Sequence, residues 1–349
     1  MSFSGKILDW YHQNKRSLPW RNSIEPYKIW LSEIILQQTR VAQGTPYYLR
    51  FVEKFPTVYH MANASEEEVL KLWQGLGYYS RARNLHATAK IIVNQYNGKF
   101  PDTYKELLKL KGVGDYTASA ISSICFNKPQ AVVDGNVYRV LSRYFGINIP
   151  INSTEGIKYF KSLAEKVMDV NDIRDYNQGI MEFGAMQCSP KKPLCLHCPL
   201  NESCVALQKG IVDQLPVKLT KTKVRNRYFN YLIPIYMDTD GNRFTNLQQR
   251  KGKGIWQNLW EFPLIESNAI LEIEDVGNRF KEVLEGIGEV ELIEFNEVAI
   301  IHKLSHQHLH AKFWILQTGN EIPNQISFEK MKEFPVPVLI ADFIKAFKF

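Results

Sequence analysis

Four of the five cysteines fall within 17 residues, in CSPKKPLCLHCPLNESC, as Cys188, Cys195, Cys198 and Cys204. Their spacing is C-x6-C-x2-C-x5-C, and four thiolates so close together can wrap one metal centre without help from the rest of the chain. The N-terminus, MSFSGKILDWYHQ, lacks the long apolar core of an export signal, so a cytoplasmic home is expected and a disulfide framework is not. Zinc ribbons and fingers pair two Cys-x-x-Cys knuckles across a longer loop, and only Cys195–Cys198 forms such a knuckle here. The spacing therefore favours a [4Fe–4S] cluster and leaves zinc as the alternative. His197, between the ligands, reads as a surface or outer residue, and Cys125 in ISSICF as a small buried apolar one.

The chain has 349 residues, 45% of them hydrophobic, enough for two ordinary domains. No run of 18 apolar residues occurs, so no membrane partner is expected. A net charge of +7 favours a polyanionic partner over plain solubility. Residues 1 to about 213 read as helices: Ile7, Trp10 and Tyr11 mark one, and others cover 28–54, 66–74, 80–96, 103–110, 115–126, 135–145, 156–169 and 175–186. Turns such as NGKFPDT and KGVG separate them. The Lys- and Arg-rich stretch LPVKLTKTKVRNR is expected to be a solvated linker over 214–227. From Tyr228 the pattern becomes strand-like, in YFNYLIPIYM, NRFTNLQQR, EVAIIHKL and HLHAKFWILQ. Helical stretches near 270–285 and 338–347 interrupt it, so 228–349 is expected to be an α+β domain.

Four shorter motifs carry candidate chemistry. WLSEIILQQTR, residues 30–40, reads as a helix with Glu33 inside an almost unbroken apolar run, where a carboxylate is costly to bury. LLKLKGVGDYTASAI, residues 107–121, has the form of helix–hairpin–helix, with Gly112 and Gly114 letting a phosphate approach the backbone at a helix start. A plain turn between two helices accounts for the same pattern. In AVVDGNVYRVLSRYF, residues 131–145, Asp134 precedes a helix and reads as its N-cap. The helix dipole and cap bonds are expected to depress its pKa and keep it ionised. In LWQGLGYYSRARNLH, residues 72–86, Gly75 and Gly77 break a helix where Tyr78 and Tyr79 meet Arg81 and Arg83, a combination suited to a nucleic-acid surface or to an ordinary core edge.

Together, LPWR at 18–21, PYKIWLSEIILQQTRV at 26–41, QGLGYYSRARNLH at 74–86, the hairpin, VDGNV at 133–137 and the four cysteines resemble the endonuclease III superfamily of base-excision glycosylases, and within it the adenine DNA glycosylases. The resemblance covers essentially the whole chain. It implies a multi-domain fold: an all-helical helix–hairpin–helix glycosylase domain with an iron–sulfur loop, then a NUDIX-like α+β domain that inspects 8-oxoguanine. A six-helix module over about 24–126 and an iron–sulfur module formed by the N-terminus with about 127–213 follow from the same likeness. So does a monomer acting on double-stranded DNA that holds adenine opposite 8-oxoguanine or guanine.

Strand-cleaving members carry a lysine shortly after the second hairpin glycine. Asp115 and Tyr116 stand there, so a monofunctional glycosylase is expected; an amine nucleophile is required for lyase chemistry. By resemblance Glu33 is the general acid for adenine flipped out of the duplex, Asp134 stabilises the sugar cation, and Tyr116 and Asn136 flank them, with Glu182 and Arg16 as surrounding partners. Gln37, Gln38, Thr39 and Tyr78 correspond to mispair contacts. Ser305 and His306 correspond to contacts with 8-oxoguanine, in a loop where Leu304 replaces the family's phenylalanine. No REx2EE run occurs near 270–285, so pyrophosphatase activity is not expected. A lyase for oxidised pyrimidines and a non-catalytic iron–sulfur DNA-binding protein are the alternatives.

Overall fold

The computed structural model describes residues 2–219 and 224–347. The chain clusters into two compact units, Met1–Asn63 with Asn84–Thr220, and Ala64–Arg83 with Lys221–Phe349. The segment 64–83, inside the stretch expected to be helical domain, thus packs with the sheet-bearing part.

The helices run in order as α1 (Phe3–Asn14), α2 (Pro26–Leu36), α3 (Val41–Lys54), α4 (Val58–Asn63), α5 (Glu66–Trp73), α6 (Ser80–Tyr96), α7 (Tyr104–Leu107), α8 (Asp115–Phe126), α9 (Gly135–Phe145), α10 (Thr154–Val167), α11 (Ile173–Met186) and α12 (Val205–Gln208). The stretch expected as one helix over 28–54 is two. α2 stops at Leu36, Gln37 leaves the helical conformation and Gln38 takes a left-handed φ of 56°. Gln37–Thr39 is therefore a turn, which carries its polar side chains off the helix axis.

α2 is buried nearly all round, through Tyr27, Ile29, Trp30, Leu31, Ile34 and Ile35, and packs against α3 and α8. α8 is rich in small buried residues, Ala118, Ser119, Ala120, Ser122 and Ser123, which permit close approach of the helices around it. α11 packs on α1 and α9. A Cβ on Gly184 of α11 would lie 2.7 Å from Asn136 Cβ, so only glycine allows this contact with the start of α9. The turn leading into α9 is held by the buried Asn177, which accepts from Val132 N (3.3 Å) and donates to Gln130 O (2.7 Å) and Ser123 Oγ (2.8 Å).

In the second unit the strands are β1 (Arg225–Met237), β2 (Arg243–Thr245), β3 (Gln248–Gln249), β4 (Trp260–Glu261), β5 (Leu264–Ser267), β6 (Glu291–Glu294), β7 (Ile300–Lys303), β8 (Gln307–Thr318) and β9 (Ile326–Ser327). β1 and β8 run parallel from Arg225 opposite Gln307 to Tyr236 opposite Thr318, and the other pairings are antiparallel. Strand β1 starts inside the expected linker, and Leu215 at the linker's other end is buried, accepting from Arg143 Nε at 3.1 Å. Residues 220–223 of that linker lie outside the described residues. Helices α13 (Ile273–Arg279), α14 (Phe328–Met331) and α15 (Val338–Phe347) complete the unit. Alternate residues of the central strands face different helices. Leu232, Trp314 and Leu316 pack with Val276 and Phe280 of the α13 region, and Phe313 stacks on Phe343 of α15 at 4.2 Å.

Within this unit α5 is capped by Ser65, whose hydroxyl accepts from Glu68 N at 3.1 Å. Asn258 and Trp260 donate to Glu66 and Glu67 of this helix, at 2.6 and 2.7 Å.

Candidate active site

Asp134 occupies the N-cap of α9, as the sequence implies. Its Oδ1 accepts from Asn136 N (2.9 Å) and Val137 N (2.8 Å), and its Oδ2 from Asn136 Nδ2 (2.8 Å). The expected depression of its pKa is corrected by the structure: burial pushes the carboxyl up, and the cap bonds and nearby Arg139 only partly reverse this. Arg139 fixes Asn136 in turn, donating from Nη2 to Asn136 Oδ1 (2.8 Å) and from Nε to the carbonyl of Cys188 (2.7 Å).

Glu33 projects from α2 toward the same region. Burial raises its pKa to about 7, a hydrogen bond from Tyr116 opposes the rise, and the Asp134 charge adds to it. The two carboxyl groups thus sense each other, with the Tyr116 hydroxyl against Glu33 and 3.2 Å from Met181 Sδ. Tyr116 itself is raised well above its ordinary value, first by burial and then by Glu33 and Asp134, so its phenol stays protonated and donates.

Glu182 and Arg16, the expected surrounding partners, form a closed ion network with Arg21. Arg16 donates Nε and Nη2 to Glu182 at 2.7 and 2.6 Å, and Arg21 donates Nη1 and Nη2 at 3.1 and 2.9 Å. Burial pushes Glu182 up, but the two guanidiniums outweigh it and hold the carboxyl at about 2. Arg21 also acts on Glu33 through charge. The sequence motif LPWR contains it, but pairing across 161 residues was not readable from spacing.

In the turn after α2, Gln37 Nε2 donates to Thr117 Oγ1 of α8 at 3.2 Å, and Thr39 Oγ1 to Gln37 O at 3.3 Å, while Gln38 is exposed. In the hairpin Gly112 has φ 75° and Gly114 caps α8 without any side-chain cap bond. A Cβ on Gly114 would meet nothing within 4 Å, so the helix start is open to an anion.

Cys188, Cys195, Cys198 and Cys204 line one recess with Arg143, which reaches from α9 to the loop and donates to the carbonyls of Ser189 (2.8 Å) and Pro190 (3.2 Å). Burial pushes the Cys198 thiol up to about 11, and burial followed by the neighbouring cysteines raises Cys195. Four cysteines lining one recess are placed to share a metal centre, which would bind them as thiolates.

Tyr78, Ser305 and His306 come together in the second unit. Tyr78, left-handed at φ 49° and 52% exposed, hydrogen-bonds through its hydroxyl to Ser305 Oγ at 2.6 Å. They rim a recess of about 520 Å³, with Leu304 and His306 beside Arg83, Arg227 and Trp256. Trp256 escaped the sequence reading; its left-handed φ of 59° turns the indole toward His302, 5.7 Å away.

Residues 31–165 match the family model of the HhH-GPD superfamily base excision DNA repair proteins, and residues 235–346 match a NUDIX domain model. The adenine DNA glycosylase of Buchnera aphidicola subsp. Baizongia pistaciae is 37% identical over 320 residues, 90% of this chain and 86% of that protein. Among solved structures, a thermostable thymine-DNA glycosylase is similar at TM-score 0.56 and 33% identity, over 59% of this chain and 95% of its own. An endonuclease III–DNA complex shares the fold at TM-score 0.52 and 24% identity, over 60% of this chain and 94% of its own. A relative matched over most of both chains, both domain models and a cysteine recess in the expected place converge, and the chain belongs to the adenine DNA glycosylase family.

Proposed function

We propose that the chain is a monofunctional glycosylase that removes adenine paired with 8-oxoguanine or guanine in duplex DNA, acting as a monomer. Membership of the family makes it a DNA glycosylase of base excision repair, with DNA as its partner. The observation that carries the mechanism is Glu33, a carboxyl raised to about 7 beside a second carboxyl. Glu33 gives its proton to N7 of the flipped adenine, so the C1′–N9 electron pair leaves with a neutral base. Asp134 faces the sugar cation that remains until water adds to C1′. Its three N–H donors and Arg139 favour its charged form over that of Glu33, which receives one hydroxyl. Tyr116 and Asn136 orient the two acids. Gln37, Gln38 and Thr39 contact the mispair, Gly112 and Gly114 hold the backbone, and Tyr78, Ser305 and His306 inspect the base opposite adenine.

Incubation with duplex containing adenine opposite 8-oxoguanine tests this reading. Free adenine with strand breaks only after alkali is the expected result. Breaks without alkali would indicate a lyase, and no adenine release would leave a binding protein.

Cys188, Cys195, Cys198 and Cys204 are proposed to hold a [4Fe–4S] cluster. Bound there, it would supply a cationic centre that closes the loop on itself, and Arg143 would hold that loop to α9. Purified protein is expected to be brown with about four irons per chain; stoichiometric zinc without iron would refute the assignment.

A further inference from the structure

The hairpin carries an electrostatic contradiction. Gly114 leaves the start of α8 open to a phosphate, yet the next residue is Asp115, whose carboxylate is about half exposed at 49%. A negative charge one residue from a phosphate site repels what the helix start attracts. The structure also holds its answer. Tyr104 donates its hydroxyl to Asp115 Oδ1 at 2.5 Å, and Lys161 of α10 places Nζ 3.1 Å from the same oxygen and 3.3 Å from Oδ2.

We propose that Lys161 is the positioning residue that lets this hairpin grip DNA, by masking the Asp115 carboxylate; this rests on the reading of the hairpin as a backbone grip. The ammonium has three N–H donors and three acceptors to meet them: Asp115, Ser119 Oγ at 3.0 Å and the Ala131 carbonyl at 2.8 Å. It lies over the Tyr104 ring, 5.6 Å from the centroid, and is only 20% exposed. Lys161 is thus committed to the protein and does not itself reach for a phosphate. Partly exposed ion pairs add little to stability, so a stabilising role alone gives no reason for this one. Its effect acts on the charge beside Gly114.

The test is a mutant cycle on the full chain, read by anisotropy with a fluorescent, fully paired duplex that carries no mispair. Lys161→Gln keeps donors for Ser119 and Ala131 but loses the charge, and is expected to weaken binding about fivefold at low salt. Asp115→Asn in the same chain should restore affinity to within about twofold of the original, and Lys161→Arg should retain it. A double variant as weak as Lys161→Gln alone overturns the proposal, because Lys161 would then act on DNA directly or through the fold. Lys161→Met serves the same cycle if the glutamine variant does not fold. Asp115→Lys tests the underlying hairpin separately. It should tighten binding and steepen the salt dependence by one to two charges. An unchanged slope would remove the hairpin from the DNA, whereas a steeper slope with a failed cycle removes only the role of Lys161.

Discussion

The two polar centres of this molecule differ first in their access to water. In the helical unit, Glu33, Asp134 and Tyr116 are only partly exposed, and the desolvation they feel moves the protonation of all three. In the sheet unit, Tyr78, Ser305 and His306 are exposed around an open recess, and their hydrogen-bonding groups keep contact with solvent. The contrast fits the two tasks proposed for them. Transferring a proton near neutral pH needs a carboxyl deprived of water, since desolvation raises its pKa. Recognising a base needs donors and acceptors that a ligand can reach. Chemistry and discrimination should therefore fail separately.

The largest expected effect is on chemistry. Glu33→Gln keeps the side chain's shape but loses its transferable proton, and single-turnover adenine release should fall by about 10³-fold while mispaired duplex is still bound. Near-normal release by this variant would break the assignment of Glu33 as the acid.

A smaller effect appears in pH dependence. Adenine release should decline as pH rises through about 7, because the acid form of Glu33 is then lost. For stability the folded pKa lies above the ordinary carboxylate value of 4.5, so the folded state holds a proton that the unfolded chain releases between those limits. Stability from this group is present below about 4.5 and is lost by about pH 7. Glu33→Gln should accordingly raise the melting temperature by a few degrees at pH 8 and leave it nearly unchanged at pH 4. Equal shifts at both values would show that the carboxyl is not desolvated in solution.

The smallest effect belongs to the sheet unit. Replacing Ser305 and His306 by alanine should leave adenine release intact and reduce the preference for 8-oxoguanine over guanine by about tenfold, the weight of one or two hydrogen bonds. Full retention of preference, measured with paired duplexes, would remove these residues from discrimination.

Much of this arrangement was legible from local pattern. The cap role of Asp134 follows from an aspartate before an amphipathic run, and the hairpin from two glycines between helices. Even Glu33 could be singled out, because a charge among Ile29, Trp30, Ile34 and Ile35 violates the pattern of its own helix. The turn at Gln37–Thr39 was not readable, since glutamine rarely adopts the left-handed conformation that Gln38 takes. Nor was the upward shift of Asp134. Cap bonds are local and visible, whereas the burial that outweighs them comes from elements distant in the chain.

Local sequence sets the helix periods, the change to strands in the second half, the cysteine spacing and the residue types available for chemistry. Each depends on neighbours within a few turns of chain. Tertiary structure alone decided that Arg16 and Arg21 share Glu182, that Lys161 meets Asp115, that β1 runs parallel to β8, and that Tyr78 reaches Ser305 across 227 residues. These contacts depend on which surfaces exclude water together, and desolvation is a property of the packed interior that no local spacing records.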